Sequence, residues 1–477
     1  MTRSIRCLAL ASCALAAGCA VGPNYHRPPA PTPVAYKTAE GWVPAHPADT
    51  APPSDWWTVF DDPVLNELEQ KVVINNQNII AAEAAYREAH DLVAADRAEL
   101  FPTGTASSSF TRSGNHSSIP IVSGGTSTLA TTRNAYQLAA GASWEPDIWG
   151  SIRRTIEGAK ATAQANAADL AFATLSAQSE LAVDYVQMRA DDELKRLTDV
   201  TAQGYQRSLE ITQNQYNAGV VAKSDVLNAE TTLANAQALA IDYLRQRQLM
   251  EHAIAVLAGM PPADLNLAPT EWRLRTPQVP VSVPSLLLER RPDVAAAERQ
   301  AAFANAQIGI QIAAFFPTIS LTGQYGVTSP SLSNLISYNS SFWSLGASAA
   351  ETVIDWGARS ARVRAARATY DESVATYRQT VLSAFQGVED NLAALRRYAE
   401  EEPLRREASQ AADAAEIISL NQYKAGTIDY TTVVVNQAAA LTARTTLLTT
   451  QASEIVSAVD LITALGGGWN ASELPKS

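Results

Sequence analysis

Two hydrophobic rhythms alternate along the chain. From Pro63, apolar positions fall at helical spacing through Leu65, Leu68, Val72, Ile79, Ala82, Tyr86 and Leu92. That predicts one amphipathic helix ending before Pro102, because proline lacks an amide donor and biases its predecessor out of the helix. The rhythm then shortens. Thr103–Arg112 is small, polar and β-tolerant and Tyr136–Glu145 alternates, which predicts two strands of about ten residues. Gly114–Arg133, rich in Ser, Thr and Gly, reads as the loop between them. Helix resumes after Trp149-Gly150, and no proline interrupts it from Ser151 to Met260.

The same order occurs twice. Trp149-Gly150 recurs as Trp356-Gly357, and Gln215-Tyr216-Asn217-Ala218-Gly219 as Gln422-Tyr423-Lys424-Ala425-Gly426, both 207 residues later. Phe101-Pro102-Thr103 recurs as Phe316-Pro317-Thr318. Self-similarity at so long a period means a duplicated structural unit. In the second copy the strands fall at about 318–327 and 342–352, around a loop at 328–341. Pro403 should kink or break the second long helix. Each Trp-Gly is followed, 69 residues after its glycine, by the glycine of the second motif. A helix of that length measures roughly 100 Å at 1.5 Å per residue, which suits a coiled-coil column and no ordinary globular core. Glycine just past a helix end takes the left-handed conformation that satisfies the last carbonyls. Ser224 or Asp225 in the first copy, and Asp429 in the second, should cap a return helix. Each half then ends in an antiparallel helical hairpin, at about 150–258 and 357–465.

The expected organisation is a signal segment over 1–18, an N-terminal tether over 19–62, a first repeat over 63–260, a linker over 261–284, a second repeat over 285–469 and a tail over 470–477. In the first segment, Arg3 and Arg6 precede a short apolar run that ends in small residues before Cys19. This resembles a bacterial lipoprotein signal. The resemblance implies that Cys19 becomes the first mature residue and carries diacylglycerol and palmitoyl chains. Ala20 after it implies outer-membrane sorting. Cleavage would remove Cys7 and Cys13, which leaves no free thiol for disulfide, zinc or nucleophilic chemistry. Nine prolines between Gly22 and Ser54 predict an extended, polyproline-like tether.

Composition narrows the partners. A net charge of −12 argues against nucleic acid, whose phosphates require a basic face. His26, His46, His90, His116 and His252 are scattered without metal-ligand spacing, and no nucleophile elbow or phosphate-cradling loop is present. An enzyme, a metal site and a catalytic residue are therefore not expected. No mature segment reaches about 18 apolar residues, so any membrane crossing must be a closed β-barrel. Four strands per chain cannot close one, since about eight is the practical minimum. Two copies would supply eight strands and three would supply twelve; the residues leave the choice open.

Several runs together resemble the outer-membrane factors of tripartite efflux pumps, the TolC-like family and its OprM/NodT lipoprotein branch. They are Cys19–Pro28 (CAVGPNYHRP), Trp56–Pro63 (WWTVFDDP), Trp144–Gly150 (WEPDIWG), Pro284–Asp293 (PSLLLERRPD) and Ala464–Trp469 (ALGGGW). The resemblance spans nearly the whole mature chain. It implies a mainly α protein with transmembrane β structure. The duplicated helix–strand–strand–long helix–hairpin–helix unit would assemble as a homotrimer, with a twelve-stranded β-barrel continued by a periplasmic α-helical coiled-coil barrel. Expected partners are a periplasmic membrane-fusion adaptor, an RND-type inner-membrane pump and outer-membrane lipid. The role implied is a passive exit duct for drugs or other small molecules. A type I secretion duct and a pore-less coiled-coil lipoprotein are the alternatives, and the latter predicts no strands at 103–112 or 318–327.

Within that frame Gly219, Val220 and Val221, with Gly426, Thr427 and Ile428, are candidate adaptor-contacting hairpin tips; capping alone would also explain the glycines. Tyr216 and Tyr423, one turn inside the tips, are candidate aperture residues or simple packing. Leu420, Asn421 and Gln422 carry no charge, where the family often places acidic or Asp/Arg contacts. Asp413 and Glu416 lie one to two turns further back. They read either as a pore-facing acidic ring or as a solvated outer face. Trp144, Trp149, Trp343 and Trp356 suit an interfacial girdle or junction packing. Arg290, Arg291 and Asp293 read as helix initiation around Pro292.

Overall fold

The computed structural model describes residues 20–33, 35–37, 55–121, 125–272, 275–277 and 290–475. Residues 1–18, Cys19, residues 34 and 38–54 of the tether and the Pro284–Glu289 part of the inter-repeat motif lie outside the described residues. The first repeat comprises α1 (Pro63–Asn75), α2 (Gln77–Ala98), β1 (Thr103–Ile121), β2 (Gly125–Trp144), α3 (Ser151–Asn217) and α4 (Lys223–Leu257). The second comprises α5 (Pro292–Ala313), β3 (Thr318–Ser329), β4 (Ser341–Ala350), α6 (Ala358–Lys424) and α7 (Tyr430–Ala464). The two long helices have 67 residues each and the two return helices 35 each, so the duplication is kept to the residue.

Four expectations are corrected. The first helix is broken at Asn76, whose side chain accepts from Asn78 N and Ile79 N and so caps α2. Its amide donates to Leu257 O at 2.9 Å, a last-turn carbonyl of α4. The break is a tertiary junction that hydrophobic spacing cannot report. Pro403 does not break α6. Pro403 and Ala399, four residues earlier, are both exposed, so water can meet the carbonyl that loses its partner. In the first copy the return helix is capped by Ala222 rather than by Ser224 or Asp225, and Asp225 sits in the first turn; Asp429 does cap α7, accepting from Thr432 N. Finally, most of Gly114–Arg133 is strand, not loop. β1 and β2 stay in register out to Ile121↔Gly125. A polar Ser/Thr ribbon and a polar loop share one composition, and only the continued ladder separates them.

Two apolar centres organise the middle of the molecule. One joins α1, α3, α4 and α7 through Leu65, Leu68, Leu181, Tyr185, Ile254 and Val459, with Trp56 and Trp57 against it. The other joins α5, α6 and α7 through Val294, Tyr377, Val381, Phe385, Val388 and Leu461. Long helices with many buried alanines (Ala161, Ala165, Ala168, Ala182 and Ala190 along α3) let backbones pack closely. Glu69 is fully buried, and neither carboxylate oxygen has a hydrogen-bond partner. Burial pushes its carboxyl up to about 9.

Residues 20–33 and 35–37 form no helix or strand, and they are fastened to the body. Val21 N donates to Trp149 O, Arg154 donates to Gly22 O and to Asn24 Oδ1, and Arg27 Nε donates to Tyr377 Oη. Tyr25 Oη donates to Glu298 Oε1 at 2.5 Å, and Tyr36 is buried beside Phe385. This strap follows α5 and α6 away from the sheet.

Candidate functional site: membrane face and hairpin tips

The strands form one antiparallel sheet in the order β1-β2-β3-β4, so β1 and β4 each have one neighbour. Alternation is weak in any single strand, but the register aligns it. Gly323 lies opposite Leu345, Tyr325 opposite Trp343, Leu321 opposite Ala347 and Ile319 opposite Ala349. Across β2 the same face receives Trp144, Ala142, Ala140 and Leu138, opposite Leu321, Gly323, Tyr325 and Val327. Across β1 it receives Ala106 and Phe110, opposite Ala140 and Tyr136. The other face carries Thr105, Ser107, Ser109, Gln137, Ser143, Thr322, Gln324, Ser344 and Ser348. Successive strand residues point to opposite faces, so the sheet has one apolar and one hydroxyl- and amide-rich surface.

The apolar face is uncovered within the protomer: Leu345 is 80% exposed and Trp343 73%. From Trp144 to Tyr136 it extends about 26 Å along the strand, at some 3.3 Å per residue, close to the apolar band of an outer-membrane barrel. Phe110 packs on Tyr136 at 4.7 Å, and Tyr325 pairs with Trp343, at the end of the sheet remote from the helices. Of the four tryptophans singled out by sequence, Trp149 packs at the junction, stacked on Phe316 with its Nε1 donating to Pro317 O. Trp144 Nε1 donates to Leu100 O, while Trp343 and Trp356 are exposed. Past Ser329, β1 and β2 pair only with each other, as a polar two-stranded ribbon.

At the opposite end of the helices lie the tips. Val220 N donates to Gln215 O and Gly219 N to Tyr216 O; Thr427 N donates to Gln422 O and Gly426 N to Tyr423 O. This paired closure, with glycine in the left-handed conformation (φ +75 and +72), ends both long helices alike. Gly219, Val220, Gly426 and Thr427 are exposed, and Val221 and Ile428 half-buried. The two tyrosines part company. Tyr423 is buried, donates to Thr212 Oγ1 at 3.3 Å and packs on Tyr430. Tyr216 is half-exposed beneath the Lys223 ammonium, 5.6 Å from the ring centre.

Asp413 and Glu416 share one partner. Arg444 of α7 reaches Asp413 Oδ1 at 2.6 Å and Glu416 Oε2 at 2.8 Å, and its third nitrogen donates to Thr201. Burial, with a contribution from Asp413, holds the Glu416 carboxyl above its ordinary range despite the arginine. The sequence reading missed Arg444. The available signal was that it is the one cation in the 35 residues of α7. A second network went unseen as well. Asp192, Arg189 and Arg247 are buried together with the partly buried Glu251 beside them, and both arginines donate to linker carbonyls, Ala268 O and Leu267 O. Arg291 pairs with Asp293 and donates to Ala464 O, closing the end of α7. Among the described residues no group of three His, Cys, Asp or Glu side chains could hold a metal, and no helix is long and apolar enough to cross a membrane.

Comparison with known proteins fits this geometry. A family model described as outer membrane efflux protein matches residues 68–260 and 283–467. The probable efflux pump outer membrane protein TtgC of Pseudomonas putida is 31% identical over 98% of this chain and 96% of its own. The solvent efflux pump outer membrane protein SrpC of Pseudomonas putida is 30% identical, over 96% and 97%. The solved outer-membrane channel OprN superposes with a TM-score of 0.86 at 29% identity, covering 94% of this chain and all of that one.

Proposed function

The chain belongs to the outer membrane efflux protein family, and on that premise we propose that three copies close one barrel and form a passive exit duct for small molecules. The protein is an outer-membrane efflux channel component. The observation that carries a barrel shared between copies is the aligned apolar face on a sheet whose two edge strands lack a second neighbour; the number three is supported by the family resemblance. Unpaired edges are forbidden in hydrocarbon. Joining β4 of one copy to β1 of the next removes every edge once the ring closes. Three copies give twelve strands and leave a lumen lined by the Thr, Ser and Gln face. The sequence motif at Cys19 supports acylation there. Ala20 lies against Gly150 at the sheet–helix junction, which would deliver the acyl chains at membrane level.

The helical column then spans the periplasm and offers Gly219–Val221 and Gly426–Ile428 to an adaptor bound to an RND-type inner-membrane pump. Several relatives are named for the export of solvents or antibiotics, and a duct of this kind would carry comparable small molecules. Asp413, Glu416 and Arg444, with Tyr216 and Tyr423, are the groups through which its lower end would be held closed. The test is native mass spectrometry of detergent-extracted protein together with planar-bilayer recording. Acylated trimers that conduct are expected. A protomer that stays single and conducts nothing would overturn the reading.

A further inference from the structure

A basic cleft opens where the helices meet the sheet, on the side that carries the strap. It encloses about 640 Å³ between α2, α3 and α5, with Tyr25 of the strap on its rim. Four cations line it, Arg97, Arg153, Lys160 and Arg299, against one carboxylate, Glu157. That carboxylate is already taken by Arg154 at 2.6 Å. Arg153 is met by Asp147 and Arg299 by Glu298. Arg97 and Lys160 have no acidic partner among the described residues. On a chain of net charge −12, two unneutralised cations sharing one cleft call for an anion from outside.

The cleft has an apolar side, formed by Leu100, Phe101 and Ile156. Phe101 is 68% exposed, directly before the strand that begins at Thr103. Trp144 Nε1 ties Leu100 O to the end of β2, so the cleft lies immediately below the apolar face of the sheet. In a barrel continued by helices into the periplasm, this is the depth of the headgroups of the periplasmic leaflet, a belt roughly 6 Å thick.

We propose that this cleft binds the headgroup of an anionic phospholipid of the periplasmic leaflet. Its phosphate lies between Arg97 and Lys160, and its acyl chains rise past Phe101 to the apolar face. A free phosphate ion would match the charge but has no use for the exposed Phe101 and the half-buried Leu100 beside it, which favours the lipid. The inference rests on the outer-membrane reading above.

The test is native mass spectrometry of the whole protein from nanodiscs of equal phosphatidylglycerol and phosphatidylcholine, with conductance measured in parallel. Wild type should retain phosphatidylglycerol preferentially, and R97Q/K160Q should lose about fivefold of that preference per cation removed. R97K/K160R should keep it, and added sodium chloride should weaken it in the wild type. Equal retention of the two lipids by a conducting wild type, undiminished preference in R97Q/K160Q, or no salt dependence would each overturn the site. Loss of the preference to inorganic phosphate, but not to chloride at equal ionic strength, would replace the lipid by a free anion. A wild type that neither conducts nor retains lipid would sink the membrane reading and the site together.

Discussion

One cap motif occurs at both ends of the helical hairpins, in surroundings that differ sharply, and this permits a controlled substitution. Gly219 and Gly259 have φ of +75 and +71 and equivalent paired hydrogen bonds, the latter through Gly259 N to Val256 O and Met260 N to Ala255 O. A Cβ at Gly219 would meet nothing within 4 Å, whereas at Gly259 it would lie 2.3 Å from Asn75 O. Alanine at Gly219 therefore incurs only the left-handed backbone penalty, about 1–2 kcal/mol. At Gly259 the same penalty is joined by a collision with backbone that must recede by about an ångström to reach an ordinary C···O distance of roughly 3.3 Å. Overpacking of that kind adds about 1–3 kcal/mol, because the junction is close-packed. Hydrogen–deuterium exchange on the solubilised protein reads both sites. Gly219→Ala should speed exchange about tenfold and only around 215–222, since 1.4 kcal/mol is a factor of ten. Gly426→Ala, also in open space at φ +72, should behave the same way at its own tip. Gly259→Ala should exceed both by one to two further decades. It should also deprotect Asn76 and the start of α2, because Asn76 is bonded to Leu257 O. Equal effects at 219 and 259, or a 259 effect confined to its own turn, would refute the reasoning.

Three further outcomes follow from the geometry. The Glu69 carboxyl is held near 9 against an ordinary 4.5, so the folded state keeps a proton that the unfolded chain has already released. Stability should be full below pH 4.5 and fall as pH rises toward 9; Glu69→Gln should flatten the dependence of Tm on pH, and an unchanged slope would count against it. Arg444→Ala leaves Asp413 and Glu416 facing one another half-buried, at a local cost of about 1–3 kcal/mol after allowing for their exposure; exchange over 409–420 should accelerate, and no change would show the triad to be inert. Leu345→Arg places a charge on the apolar face at a cost of about 2–4 kcal/mol and should lower the amount of assembled barrel, whereas Ser344→Arg, on the opposite face, should assemble normally; the reverse order would exchange lumen and lipid.

Much of the fold was legible because it is local and repeated. Glycine after Gln-Tyr-x-Ala fixes where each long helix ends whatever surrounds it, and a proline-free stretch of that length admits few folds other than a column. The duplication did the rest, since each feature could be checked against its copy. The break at Asn76 was invisible because it depends on a carbonyl 181 residues away. The polar ribbon beyond Arg112 is indistinguishable from a loop in composition, because Ser and Thr serve either state. Asp413 and Glu416 were recognised as a pair, yet Arg444, their partner, comes from another helix. The basic cleft is likewise assembled from three helices and the strap, and no one segment announces it.

The duplication, the span of the two long helices and the glycine-capped turns that end them can be read from the chain alone, because each follows from backbone chemistry at consecutive residues. The pairing of strands, the meeting of charges from different helices and the course of the N-terminal strap had to be seen in the fold. Those depend on register and on contacts between distant segments. A shift of one residue in any strand would exchange its apolar face for its hydroxyl-rich face without altering the composition at all.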